Sequence, residues 1–163
     1  MTDDEPPWLS PDELKTWLTL FSLLVRLPGA LDSQLQRDAG MNLFEYSLLA
    51  GLSEAPDRQM RMSLLADISQ GSLPRLSQAI GRLEKRGWVR RSPDPDDGRY
   101  TLATLTDEGL EKVLATAPGH VTEVRRLIFD PLTKAQPRQL HDIGGRIMRT
   151  IDPDGPYPGD RPY

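Results

Sequence analysis

Between residues 72 and 99 the chain concentrates side chains suited to one kind of recognition. Pro74, Arg75, Ser77, Gln78, Gly81, Arg82 and Lys85 fall on the outward side of one amphipathic segment, and Leu73, Leu76, Ile80 and Leu83 recur inward at helical spacing. A Gln can present a donor and an acceptor together to adenine. An Arg can present two parallel donors to guanine, each such pair discriminating against a wrong base by about 1–3 kcal/mol. Ser72 and the free N–H groups of the first helical turn can hold a phosphate, because the helix dipole favours an anion there. The chemistry implied is the reading of a double-stranded DNA groove. A solvated charged helix face is the plainer alternative.

Downstream lies a second set. The segment 93–99 is rich in proline and aspartate, which suits an exposed loop, and it places Arg99 beside Asp94, Asp96 and Asp97. One reading is an exposed ion pair. The sharper one has Asp97 orient Arg99 toward a narrow minor groove, where the negative potential of DNA is concentrated.

Helices and a hairpin must position these groups. Ser10-Pro11-Asp12-Glu13 has the form of a capped helix start, followed by Leu14, Trp17, Leu18, Phe21, Leu24 and Val25 in a stripe wider than one core contact needs. Pro28-Gly29 is expected to kink this helix, which resumes to about Asp38. Asn42-x-x-Glu45 starts a second helix carrying Phe44, Leu48, Leu49 and Leu52, and residues 58–62 form a short strand. Ser63 is expected to cap a third helix with Leu64, Leu65 and Ile68 inward. Gly71 is expected to take a positive φ in the turn, with Ser72 capping the outward-reading helix and Gly87 stopping it. Strands follow at 88–92 and 100–105. Thr106 begins a helix bent at Pro118-Gly119 and running to about Phe129, and Thr133-x-x-Gln136 reads as a capping box for a last helix with Leu140, Ile143, Ile147 and Ile151. The order helix, turn, basic helix, polar hairpin describes a winged helix-turn-helix. The fold class is mainly α with a small β-wing.

Bulk properties agree. Net charge is −4, yet residues 75–91 hold six bases (Arg75, Arg82, Lys85, Arg86, Arg90, Arg91) against Glu84 alone. Exposed charges beyond about 10 Å are screened, so local basic density governs contact with phosphate. The chain has no cysteine, which removes disulfides, thiolate metal sites and thiol switches. No apolar run reaches the roughly 18 residues needed to span a bilayer. The acidic N-terminus lacks a signal-peptide core. These features point to a cytoplasmic protein without a membrane partner.

The segments Pro93-Asp94-Pro95-Asp96-Asp97-Gly98-Arg99 and Leu105-Thr106-Asp107-Glu108-Gly109, with Arg82-Leu83-Glu84-Lys85-Arg86-Gly87-Trp88-Val89, resemble the multiple-antibiotic-resistance regulator (MarR) family of bacterial transcription factors. The similarity covers about residues 10–150. It implies a homodimer with a flexible N-terminus (1–9), a dimerisation helix (10–40), a DNA-binding lobe (41–105), further dimerisation helices (106–151) and a flexible Pro/Gly tail (152–163). Such a dimer is expected to read a pseudo-palindromic operator with helix 72–86 in the major groove and wing 93–99 in the minor groove, as a repressor, although the sequence does not decide between repression and activation. Asp97 and Arg99 match the family's wing pair. Gln78 stands where the family often has Arg, implying a different operator preference. Many members bind a small aromatic effector, for which Trp17, Phe21, Phe44 and Tyr46 could line a crevice; as plain core residues they need no such role. His120 and His141 lack carboxylate partners at metal-ligand spacing, so no metal or cofactor is expected. A winged-helix module that binds an acidic protein instead of DNA is the alternative. An enzyme is not expected, since no nucleophile–base set or phosphate-binding Gly loop is present.

Overall fold

The computed structural model describes residues 6–69 and 71–153. Among the described residues six α-helices and a three-stranded sheet follow in the order α1 (Pro11–Ala39), α2 (Leu43–Glu54), β1 (Gln59–Arg61), α3 (Met62–Ile68), α4 (Leu73–Lys85), β2 (Val89–Pro93), β3 (Thr101–Leu105), α5 (Asp107–Val124), which a π-helical turn extends over Arg125–Phe129, and α6 (Gln136–Ile151). The sheet is antiparallel with β3 central, so that Met60 and Arg91 both pair with Ala103. Of the end segments read as flexible, residues 1–5 and 154–163 lie outside the described residues.

Two capping boxes start α1 and α2 where the sequence places them. Ser10 and Glu13 satisfy each other's backbone N–H groups, as do Asn42 and Glu45. Helix α1 is unbroken through Pro28 and ends at Gly40, whose φ of 65° lets the chain turn sharply. The core gathers Leu35, Met41, Leu48, Leu49, Leu52, Leu65, Leu76, Ile80, Leu83 and Leu105 beneath α4 and the sheet. Each fully buried Leu or Ile contributes about 1.5–3 kcal/mol.

Several local expectations are corrected. Ser63 lies within α3 and does not cap it. Strand β1 runs directly into the helix, and Arg61 occupies the N-cap without a side-chain bond to the helix's first N–H groups. Leu64 faces out because Leu65 and Ala66 take the core positions of this seven-residue helix. Leu73 is 55% exposed: it shares the azimuth of Ile80 but stands at the helix end, past the core's edge. Gly71 has no positive φ, since the described glycines with one are Gly40 and Gly87. Its role is a close approach instead, for a Cβ there would lie 2.9 Å from Cζ of Phe44. Thr133 does not cap α6. Its backbone N–H donates to the Gln136 side chain at 2.8 Å, and Ala135 is the N-cap.

Residues 11–19 of α1 are all exposed, and α6 buries only Gly145. Leu14, Trp17, Leu18, Phe21, Leu24 and Val25 thus form an uncovered stripe, as do Leu140, Ile143, Ile147 and Ile151. By length and composition α1 could also cross a bilayer, with one 18-residue window reaching a mean hydropathy of 1.2 and none of it buried. The expectation that no apolar run is long enough to span a bilayer overlooks this helix, because its apolar residues are interspersed with polar ones.

Where α1, α2 and α5 meet, His120 Nδ1 lies 3.1 Å from Gln34 Oε1, and its ring packs 4.7 Å from that of Tyr46. Gln34 in turn donates to Asp38 at 2.8 Å. Burial disfavours the imidazolium and holds the His120 pKa below its ordinary value of 6.5. The stability contributed by neutral His120 is therefore present above that value and is lost as pH falls through the lower folded-state pKa. Between about pH 7.5 and 5.5 the thermal midpoint of the wild type is expected to fall more than that of His120→Gln. Parallel melting curves for the two proteins would contradict this.

Candidate nucleic-acid interface

Helix α4 is held by one face and open on the rest. Leu76, Ala79, Ile80 and Leu83 are buried, and Pro74, Gln78 and Lys85 point directly away from them. Arg75 and Arg82 flank this outward row on the side of α2, while Ser77 and Glu84 flank it on the side of the sheet. Ser72 caps the helix and accepts the Arg75 backbone N–H at 3.4 Å. Gly81 has open space beyond its backbone except for an Arg91 nitrogen at 4.0 Å, so no tight packing explains it.

Partners on the two flanks fix how the helix sits. Arg82 Nε donates to Glu45 Oε1 at 2.6 Å; the carboxylate side chain is 4% exposed and the arginine 50%. The other Glu45 oxygen accepts the Asn42 N–H at 3.2 Å, so one buried carboxylate caps α2 and anchors α4. On the sheet side, Arg91 binds Glu84 through its backbone N–H and its guanidinium, and donates to Ser77 Oγ at 3.3 Å. The Arg91 bonds hold the Glu84 carboxyl below the usual carboxylate range.

The loop between β2 and β3 is built by two aspartates. Asp97 accepts from Arg99 Nε at 2.9 Å and from its terminal nitrogen at 2.6 Å, a two-pronged pair that lowers the Asp97 pKa. The Arg99 side chain remains 84% exposed, so Asp97 orients it without hiding it. Asp94 turns inward. Its Oδ1 accepts the Asp96 N–H at 2.9 Å and its Oδ2 accepts from Arg61 Nε at 2.6 Å, and these bonds lower its pKa in that order. Arg61 also lies 4.4 Å over the Tyr100 ring. Sequence reading groups Asp94 with the exposed acids and passes over Arg61, since a pair 33 residues apart leaves no local signal.

Of the residues read from sequence, Ser72, Pro74, Arg75, Ser77, Gln78 and Arg82 all lie on α4 or its cap, and Asp97 and Arg99 share the wing loop. The four aromatic side chains are not gathered in one crevice. Trp17 and Phe21 form an exposed pair with centroids 5.7 Å apart on α1. Tyr46 is buried beside His120. Phe44 lines an open cleft of about 820 Å³ between α1, α2 and α4, together with Asp32, Arg75, Gln78 and Arg82.

Known proteins place this arrangement. A family model described as MarR family matches residues 39–99. The transcriptional regulator YdcH of Bacillus subtilis (strain 168) is 43% identical over 54 residues, and PecS of Dickeya dadantii (strain 3937) is 35% identical over 76. The chain's matched segments span 37% and 45% of those two relatives and 33% and 47% of the chain itself. Solved structures match over far more. AbsC, a MarR family regulator from Streptomyces coelicolor, is 34% identical over 90% of this chain and 98% of its own, with a TM-score of 0.85. Sco3205, a MarR family regulator from the same organism solved in complex with DNA, is 45% identical over 93% of this chain and 95% of its own, with a TM-score of 0.88. At that identity, coverage and structural similarity, the chain belongs to the MarR family of transcriptional regulators, which are not enzymes.

Proposed function

We propose that this regulator is a homodimeric repressor, working in the cytoplasm, that reads a pseudo-palindromic DNA operator. The carrying observation is the joint exposure of the α4 outward row and of Arg99, a guanidinium preset by Asp97 on the loop beside that helix. In this reading Ser72, Pro74, Arg75, Ser77, Gln78 and Arg82 meet the major groove, and Asp97 and Arg99 serve the minor groove. The solved DNA complex of Sco3205 supports it. Segments 10–40 and 106–151 supply the dimer body, which the uncovered stripes on α1 and α6 favour. Residues 41–105 form the DNA-binding lobe. The cleft lined by Phe44 is the proposed place for a small aromatic effector.

Selection of bound duplexes from a random library by the purified protein tests this reading. A two-fold symmetric site with half-sites about one helical turn apart is expected. On that site Arg99→Ala is expected to weaken binding about tenfold and to reduce the salt slope by about one. Unchanged affinity and slope in a titration at several salt concentrations would remove Arg99 from the interface. Failure to enrich any duplex would remove the reading itself.

A further inference from the structure

Arginines around the interface are held in two different ways. Arg82, Arg91 and Arg99 each commit part of the guanidinium to a carboxylate, on Glu45, Glu84 and Asp97 respectively. Arg75 meets a ring instead. Its guanidinium carbon lies 4.3 Å over the centroid of Phe44, and among the described residues no carboxylate or carbonyl takes its side-chain N–H groups. The distinction matters because the five N–H donors of an arginine lie in the guanidinium plane. A carboxylate consumes donors and cancels charge. A π face beneath the plane restrains the group and consumes no donor.

Phe44 is itself held. It packs against the core from α2, and its Cζ and Cε2 press on the backbone of the turn at Gly71, where a Cβ would lie 2.9 and 3.2 Å from them. The absence of a side chain at Gly71 thus gives the ring its seat. The ring in turn lies under the side chain at the third position of α4, within the first turn of the helix.

We propose that Phe44, a residue outside the helix assigned to DNA reading, is a positioning residue for Arg75. Its ring holds the guanidinium with all donors free, so that Arg75 meets the edge of one base in each half-site without first giving up an ionic partner or freezing a mobile side chain. The inference rests on the proposed reading of Arg75 as a groove contact. It also explains why the turn before α4 has a glycine that is not in a left-handed conformation.

The test uses the full-length protein and the duplex selected by the wild type, with a set of duplexes each changed at one base pair of both half-sites. Phe44→Leu keeps the apolar bulk and removes the π face. Phe44→Leu is expected to weaken binding about three- to fivefold. That penalty should vanish on the duplex changed at the base read by Arg75, and also in an Arg75→Ala background. Gly71→Ala, which pushes the ring from its seat, is expected to reproduce the Phe44→Leu pattern and serves if that variant does not fold. A penalty equal on every duplex and undiminished by Arg75→Ala would overturn the proposal, as would no penalty at all. Should Arg75→Ala leave base preference intact, the groove assignment of Arg75 fails first, and this result is distinct from an Arg75-dependent site that ignores Phe44.

Discussion

Gly109→Ala is expected to lower the unfolding free energy by about 3 kcal/mol, at the upper end of overpacking costs. Gly109 is buried in the first turn of α5, and a Cβ there would run into the Trp88 carbonyl oxygen and come within 2.7 Å of Leu105 Cδ1. The oxygen cannot swing away, because it belongs to the backbone and accepts the Thr106 N–H at 3.0 Å. Thr106 closes the same joint: its hydroxyl donates to the Gly87 carbonyl at 2.6 Å and accepts the Gly109 N–H at 3.0 Å. The Leu105-Thr106-Asp107-Glu108-Gly109 motif is therefore the clasp that seats α5 on the end of α4 and the start of β2. Relief would require α5 to shift as a unit. For a chain of this size the loss corresponds to a fall of roughly 6–12 °C in thermal midpoint. A midpoint within about 2 °C of wild type would show that the joint yields easily.

Arg82→Ala is expected to destabilise the protein by about 2 kcal/mol in urea unfolding, independently of any duplex. The change leaves the Glu45 carboxylate buried with its Oε1 unpaired while Oε2 still faces the Asn42 N–H. The figure sits below the roughly 3–5 kcal/mol typical of a fully buried pair because the Arg82 side chain is 50% exposed and the pair is partly screened. Removing both partners should cost less than the sum of the two single changes, with a coupling of at least about 1 kcal/mol. Strict additivity would mean that the two side chains do not support one another. This result bears on how DNA titrations are read, since weaker binding by Arg82→Ala combines a displaced α4 with any lost contact.

Sequence made helix starts visible where the signal is local. Ser10 with Glu13 and Asn42 with Glu45 lie three residues apart and satisfy each other, so the pattern and the bond coincide. The outward row of α4 was legible for the same reason, as its period follows from helix geometry. Local reading failed where a distant element decides. Ser63 looks like a cap, but the pairing of Arg61 with Leu102 in the sheet sets where α3 begins. Gly71 looks like a left-handed turn, but a ring from α2 dictates the missing side chain. Arg82 and Asp94 were read as outward groups, and their partners Glu45 and Arg61 stand 37 and 33 residues away. In the candidate site, the residue types that face outward could be read from the chain. The contacts that aim them could not, apart from Asp97 with Arg99, two residues apart.

The uncovered stripe on α1 carries a thermodynamic consequence. Leu14, Trp17, Leu18, Phe21, Leu24 and Val25 are exposed in the single chain, so in the proposed dimer the free energy of covering them would belong to association and not to folding of the protomer. In the proposed dimer, mass action would tie resistance to heat to how many copies are present: a tenfold dilution would remove support that no intramolecular contact replaces. Such a dimer would be sturdy when abundant and fragile when scarce.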